Sequence, residues 1–145
     1  MSKTFQIAAI DVATAVFDVL GEAVTAGDFE TFRDLFLLPL NMAQGTRNVL
    51  VTNTEELSAQ FNKRHQRLRE IGATSLVRNC IDAHYDGPDR ILATHTGHLV
   101  KDNQRMTEPQ PIFTTLEKRA GTWKITANEC AVWVDDPAFA GNTKE

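Results

Sequence analysis

The chain has 145 residues, 42% of them hydrophobic and 23% charged, with fifteen basic against nineteen acidic side chains for a formal charge of -4. That length fits one domain around one core, and the charge balance leaves no broad cationic surface for a phosphate backbone, so nucleic acid is excluded as the expected partner. Cys80 and Cys130 make no disulfide framework, and Asp11 and Asp18 interrupt the apolar start of the chain well before the roughly 20 residues that cross a bilayer, so a cytoplasmic protein away from membranes is expected.

Val12, Val16, Leu20 and Ala23 recur at helical spacing, and Gly27 stands where a helix C-terminus takes a left-handed residue, which predicts a first helix. Asp28 is placed to cap a second helix, with Phe29, Phe32, Leu35 and Phe36 as its apolar stripe and Pro39 as its end. The short apolar pieces Pro39 to Ala43 and Asn48 to Val51 flank a polar turn and read as a small hairpin or a β-arm. Thr52, Asn53 and Thr54 offer capping oxygens ahead of Glu55 and Glu56; Leu57, Phe61, Arg64, Leu68 and Ile71 then trace one face of a third helix closed by Gly72. The basic run from Lys63 to Arg69 lies within that helix and reads as a solvated face.

Alternating runs follow at Ser75 to Tyr85, Arg90 to Val100, Pro111 to Arg119 and Thr122 to Val134, separated by turn formers such as Asp86-Gly87-Pro88-Asp89. Short links imply antiparallel pairing. Strands grouped after helices specify an α+β fold rather than a doubly wound sheet, and no Gly-rich phosphate loop is present. One domain is expected over 1–134, with a loose tail over 135–145.

Three local patterns then resemble the NTF2-like superfamily, in its SnoaL-like branch of polyketide cyclases and ketosteroid isomerases. They are Ala26-Gly27-Asp28-Phe29 joining two helices, Thr54-Glu55-Glu56-Leu57 opening the third, and Ala120-Gly121-Thr122-Trp123-Lys124-Ile125 at the last hairpin. The resemblance implies a cone-shaped barrel, a strongly curved, mixed, largely antiparallel sheet closed over three helices around a pocket, often in a homodimer. It does not imply one reaction. The isomerase residues are missing: Leu20 and Thr114 fall where a tyrosine and an acidic donor would stand, and Asn41 to Gln44 hold no carboxylate.

Within that fold, the two-residue strand period groups Trp123, Ile125, Ala127 and Glu129 on the presumed pocket face, and His95 with Ile91, Ala93, Gly97 and Leu99. His95 and Glu129 are thus candidate proton-transfer groups. The alternative for each is structural, a satisfied core histidine and a solvent-touching acid. The strand Ser75 to Tyr85 leaves two registers open, one of which turns Arg78 and Asp82 towards the pocket; Asp82 is then a third catalytic candidate, and Arg78 selects a carboxylate or enolate. Trp123, Phe61, His65 and Thr114 complete the candidate ligand-binding set. The function expected is proton transfer on a hydrophobic, carbonyl-bearing or carboxylate-bearing small molecule, without cofactor or metal; the alternative is a non-catalytic NTF2-like binding or interaction dimer.

Overall fold

The computed structural model describes residues 6–44 and 47–130. Helix α1 spans Ala9–Ala26 and ends at Gly27, whose φ of 74° places it in the left-handed region, with the Gly27 and Asp28 amides donating back to Val24 and Ala23 carbonyls. Helix α2, Phe29–Asp34, starts where Asp28 accepts from the Thr31 amide. It stops earlier than its apolar stripe suggests. The Leu35 carbonyl accepts from the Ile125 amide at 2.7 Å, and Phe36 already belongs to strand β1, Phe36–Gln44, with Pro39 inside it rather than at a helix end.

Strand β2, Arg47–Val51, pairs antiparallel with β1 as the predicted hairpin. Helix α3, Thr54–Glu70, is capped reciprocally: Asn53 accepts from the Glu56 amide at 2.8 Å, while the Glu56 carboxylate accepts from the Thr52 amide at 2.7 Å. The remaining strands are β3 (Ser75–Tyr85), β4 (Arg90–Lys101), a short β5 (Gln104–Arg105), β6 (Gln110–Arg119) and β7 (Thr122–Cys130).

The strands form one sheet in the order β2-β1-β7-β6-β4-β3, with β5 added to β4. All neighbours are antiparallel except β1 and β7, which are parallel. The expected barrel does not close: β2 and β3 are edges that do not pair with each other. The three helices cover one face, burying Phe17, Leu20 and Val24 of α1, Phe32 of α2 and Leu57, Phe61 and Leu68 of α3 against Leu40, Ile91, Leu99, Leu116 and Ile125 of the sheet. At the open edge α1 takes the place of a further strand. Thr25 donates to the Gly21 carbonyl and accepts from the Leu76 amide, so an edge N–H that would face solvent is satisfied by the helix.

Two irregularities decide which side chains point inward. In β3, Cys80 faces His95 but Asp82 faces Thr94, leaving Ile81 as an extra residue. In β7, Ile125 faces Leu116 and Ala127 faces Thr115, leaving Thr126 as the extra residue. Each bulge exchanges the faces for everything beyond it. The C-terminal tail over 135–145 lies outside the described residues.

Candidate functional site

Strand β4 alternates without interruption, so Ile91, Ala93, His95, Gly97 and Leu99 all point at the helices. His95 is fully buried, with its ring stacked on Phe17 at a centroid separation of 3.7 Å. Its Nε2 lies 2.8 Å from Thr114 Oγ1, and that hydroxyl donates to Asn128 Oδ1 at 2.6 Å. Because the hydroxyl proton is used towards Asn128, Nε2–H donates to Thr114, and Nδ1 is left as the bare nitrogen. It is buried and has no hydrogen-bond partner. Burial, with the positive charge of Arg78 added, holds the imidazole pKa down to about 2, so the ring is neutral at physiological pH.

Arg78 lies two residues before Cys80 on β3, diagonal to His95 and opposite Gly97. Its register puts it on the inner face with Cys80, and its charge acts on the His95 ring, while Ile112 occupies the space over Gly97. Its Nε is enclosed without a partner, although the residue keeps an exposed edge along the gap between α1 and β3. Burial and the neighbouring Arg64 charge lower its pKa to about 9, which leaves it cationic at neutral pH. Arg64 itself is buried on the apolar stripe of α3, at a position where the sequence already set a charge among leucines.

The other candidates separate. Asp82 is carried outward by the bulge at Ile81 and is exposed, 4.0 Å from His84. Glu129 is carried outward by the bulge at Thr126; the expectation that it shares a face with Trp123 and Ile125 fails for that reason. It lines a groove of about 400 Å³ on the outer face of the sheet, beside Phe113, Thr94 and His84. The inward places it was expected to share go instead to Asn128 and Cys130, which a strict two-residue period could not reveal. No sheet carboxylate shares the inner face with His95 among the described residues.

Phe61 is core, in contact with Phe29 and Phe32. His65 lies parallel to Phe61, with Nδ1–H donating to the Val24 carbonyl at 2.9 Å, and it fills the space beneath Gly27, where a Cβ would approach its Nε2 to 2.9 Å. It ties α3 to the end of α1. Trp123 packs near Tyr85 at the hairpin end of the sheet, its ring 6.0 Å from the tyrosine ring. Thr114 is the one member of the expected ligand set that contacts His95 directly. Among the described residues, no three His, Cys, Asp or Glu side chains converge as metal ligands.

Comparison with solved structures places this architecture among known folds. An NTF-2 like protein of unknown function from Shewanella oneidensis MR-1 superposes with a TM-score of 0.68 at 14% identity, covering 84% of this chain and 98% of that one. The fold is NTF2-like. A dehydratase candidate of the NTF2-like family from Streptomyces avermitilis matches with a TM-score of 0.61 at 14% identity, over 86% of this chain and 95% of its own. An NTF2-like protein with a cystatin-like fold from Novosphingobium aromaticivorans matches with a TM-score of 0.61 at 13% identity, over 93% and 88%. At these identities the likeness establishes the NTF2-like fold and nothing finer. No family model and no curated protein matches the chain by sequence.

Proposed function

We propose that the inner face of the sheet is a small-molecule site of SnoaL-like character, with His95 as its uncharged hydrogen-bonding centre. The observation that carries this reading is the orphaned Nδ1 of a fully buried imidazole whose other nitrogen is held by Thr114 and Asn128. A buried polar atom without a partner costs about 1–3 kcal/mol, and a ligand hydroxyl or enol donating to Nδ1 recovers that cost. Phe17 and the surrounding aliphatic side chains favour a hydrophobic compound, and Arg78 favours a carbonyl, enolate or carboxylate oxygen on it. The same reading takes the protein to be a cytoplasmic homodimer that works without cofactor or metal.

A thermal-shift series with hydroxyenones and aromatic hydroxyketones tests it. Ligand at 100 times its dissociation constant adds about 2.7 kcal/mol to wild-type stability. His95→Phe keeps the ring stack and is expected to abolish the shift; an equal shift in that variant places the ligand elsewhere.

A second reading, proton transfer in the manner of an isomerase, cyclase or hydratase, is favoured by the dehydratase candidate among the fold neighbours. In it Nδ1 takes the α-proton of the substrate while Arg78 holds the resulting enolate, whose negative charge offsets the two factors that keep the imidazole weakly basic. The enolate then re-forms its carbonyl as the Cβ–O bond breaks, and the leaving hydroxyl takes the proton back from Nδ1 and departs as water. Here Asp82 and Glu129 have no part, since both stand on the opposite face. Turnover of a β-hydroxyketone to its enone, followed by absorbance and lost in His95→Phe, would establish catalysis over binding.

A further inference from the structure

His95 and Arg78 have opposite requirements of a ligand. The Nε2 proton of His95 is committed to Thr114, whose own proton goes to Asn128, so the enclosed Nδ1 can only accept. Arg78 has five N–H donors and no acceptor, and its Nε is enclosed without a partner. The neighbours whose charge it feels are Arg64 and the Cys130 thiol, neither of them a carboxylate, and no ion pair reaches it within 4.0 Å among the described residues. A neutral carbonyl oxygen would occupy its donors and leave the enclosed charge unbalanced. A carboxylate satisfies both, because the planar guanidinium takes it in two parallel, charge-assisted hydrogen bonds. An amine is disfavoured, since it would bring a cation to a site that already holds one.

The register sets the spacing. Cys80 stands opposite His95 and Arg78 opposite Gly97, so Arg78 and His95 are diagonal neighbours on adjacent strands, a separation of about 7–8 Å in a paired sheet. The Arg78 charge reaches the imidazole ring across that distance. An anionic group and a hydrogen-bond donor that answer the two side chains therefore stand close together on one short carbon chain.

We infer that the ligand of this site is a hydroxy carboxylate, with its carboxylate on the Arg78 guanidinium and its hydroxyl donating to His95 Nδ1. Its carbon chain lies along Phe17, whose ring already covers the imidazole. The inference rests on the inner-face reading and narrows it, selecting the charged oxygen from those that Arg78 could hold.

Isothermal titration of the full chain with 2-hydroxyhexanoate and 3-hydroxyhexanoate tests it. Hexanoate, which lacks the hydroxyl, and the methyl ester of each hydroxy acid, which lacks the charge, are measured beside them. One hydroxy acid is expected to bind wild type at least tenfold tighter than both hexanoate and its own ester. In His95→Phe that acid should fall to the affinity of hexanoate, and in Arg78→Met to that of its ester, with Arg78→Lys retaining part. Each substitution then removes the advantage of one ligand group and spares the other. The wild-type comparison decides by itself where a variant fails to fold. If neither hydroxy acid exceeds both hexanoate and its ester on wild type, the inference is overturned. A hydroxyketone that still stabilises wild type but not His95→Phe would then leave the inner-face site standing with an uncharged ligand; failure of that probe as well would remove both.

Discussion

His95 holds a pKa of about 2 in the folded chain against about 6.5 when unfolded, so below pH 6.5 the unfolded state takes up a proton that the folded state refuses. The stability this contributes is complete above pH 6.5 and declines as the pH falls, by about 1.4 kcal/mol per pH unit for one proton. Burial, with Arg105 nearby, lowers the pKa of His98 in the same direction and adds to the acid limb. Urea denaturation between pH 7.5 and 4.5 should therefore show a falling midpoint, with most of the slope lost in His95→Phe and a smaller part in His98→Asn. An unchanged slope in both variants would assign the acid limb to carboxylates. The hydrogen-bond chain makes a second prediction: Thr114→Val strands the His95 and Asn128 groups and should cost about 1–3 kcal/mol by denaturant titration, whereas Asp82→Asn and Glu129→Gln, both exposed, should stay within about 0.5 kcal/mol of wild type. His95 was legible in the sequence because β4 keeps an unbroken period and Ile91, Ala93 and Leu99 announce its inner face. Asn128 was not, since nothing in the residue types around Thr126 marks the extra residue that turns it inward.

Among the elements, α1 is the piece whose packing is tightest against the sheet edge. An alanine at position 21 gains about 1 kcal/mol of helix propensity over glycine, yet its Cβ would stand 2.8 Å from a backbone oxygen that cannot rotate away. The clash is expected to win, leaving Gly21→Ala about 1–3 kcal/mol less stable than wild type by thermal melting, with α1 displaced from β3. A raised melting temperature would mean that helix and strand separate at little cost. The ends of α1 and α3 were readable from Gly27 and from Asn53 with Glu56, because caps are local chemistry. The end of α2 was not. Its apolar stripe continues through Leu35 and Phe36, and only the hydrogen bond from Ile125, ninety positions along the chain, converts that stretch into strand.

For the whole molecule, the helices cover one face of the open sheet, and among the described residues no element packs on the other. Phe113, 52% exposed, lines the outer groove that holds Glu129, and Ile81, the extra residue of β3, is 58% exposed. The proposed homodimer would cover them, since grouped exposed apolar side chains commonly mark contact surfaces. Light scattering on the purified chain should then give twice the mass of one chain, and Phe113→Asp should shift it towards the monomer without loss of secondary structure. A wild-type monomer at tens of micromolar would remove the dimer and leave the inner-face site to stand alone.

The sequence by itself determined the α+β class, the three helices in order, the predicted β1–β2 hairpin and the four main strand segments. These rest on capping residues, turn formers and periodicities that act within a few positions. It also grouped His95 on one strand face with Ile91, Ala93, Gly97 and Leu99. Tertiary structure decided that the sheet stays open, that β1 runs parallel to β7, and that Asp82 and Glu129 stand on the far side from His95. The physical reason is that one unpaired residue in a strand reverses every later side chain while leaving composition and local propensity unchanged. Such a residue is placed by the curvature needed to lay the sheet over α1, a demand that arises only when distant segments meet.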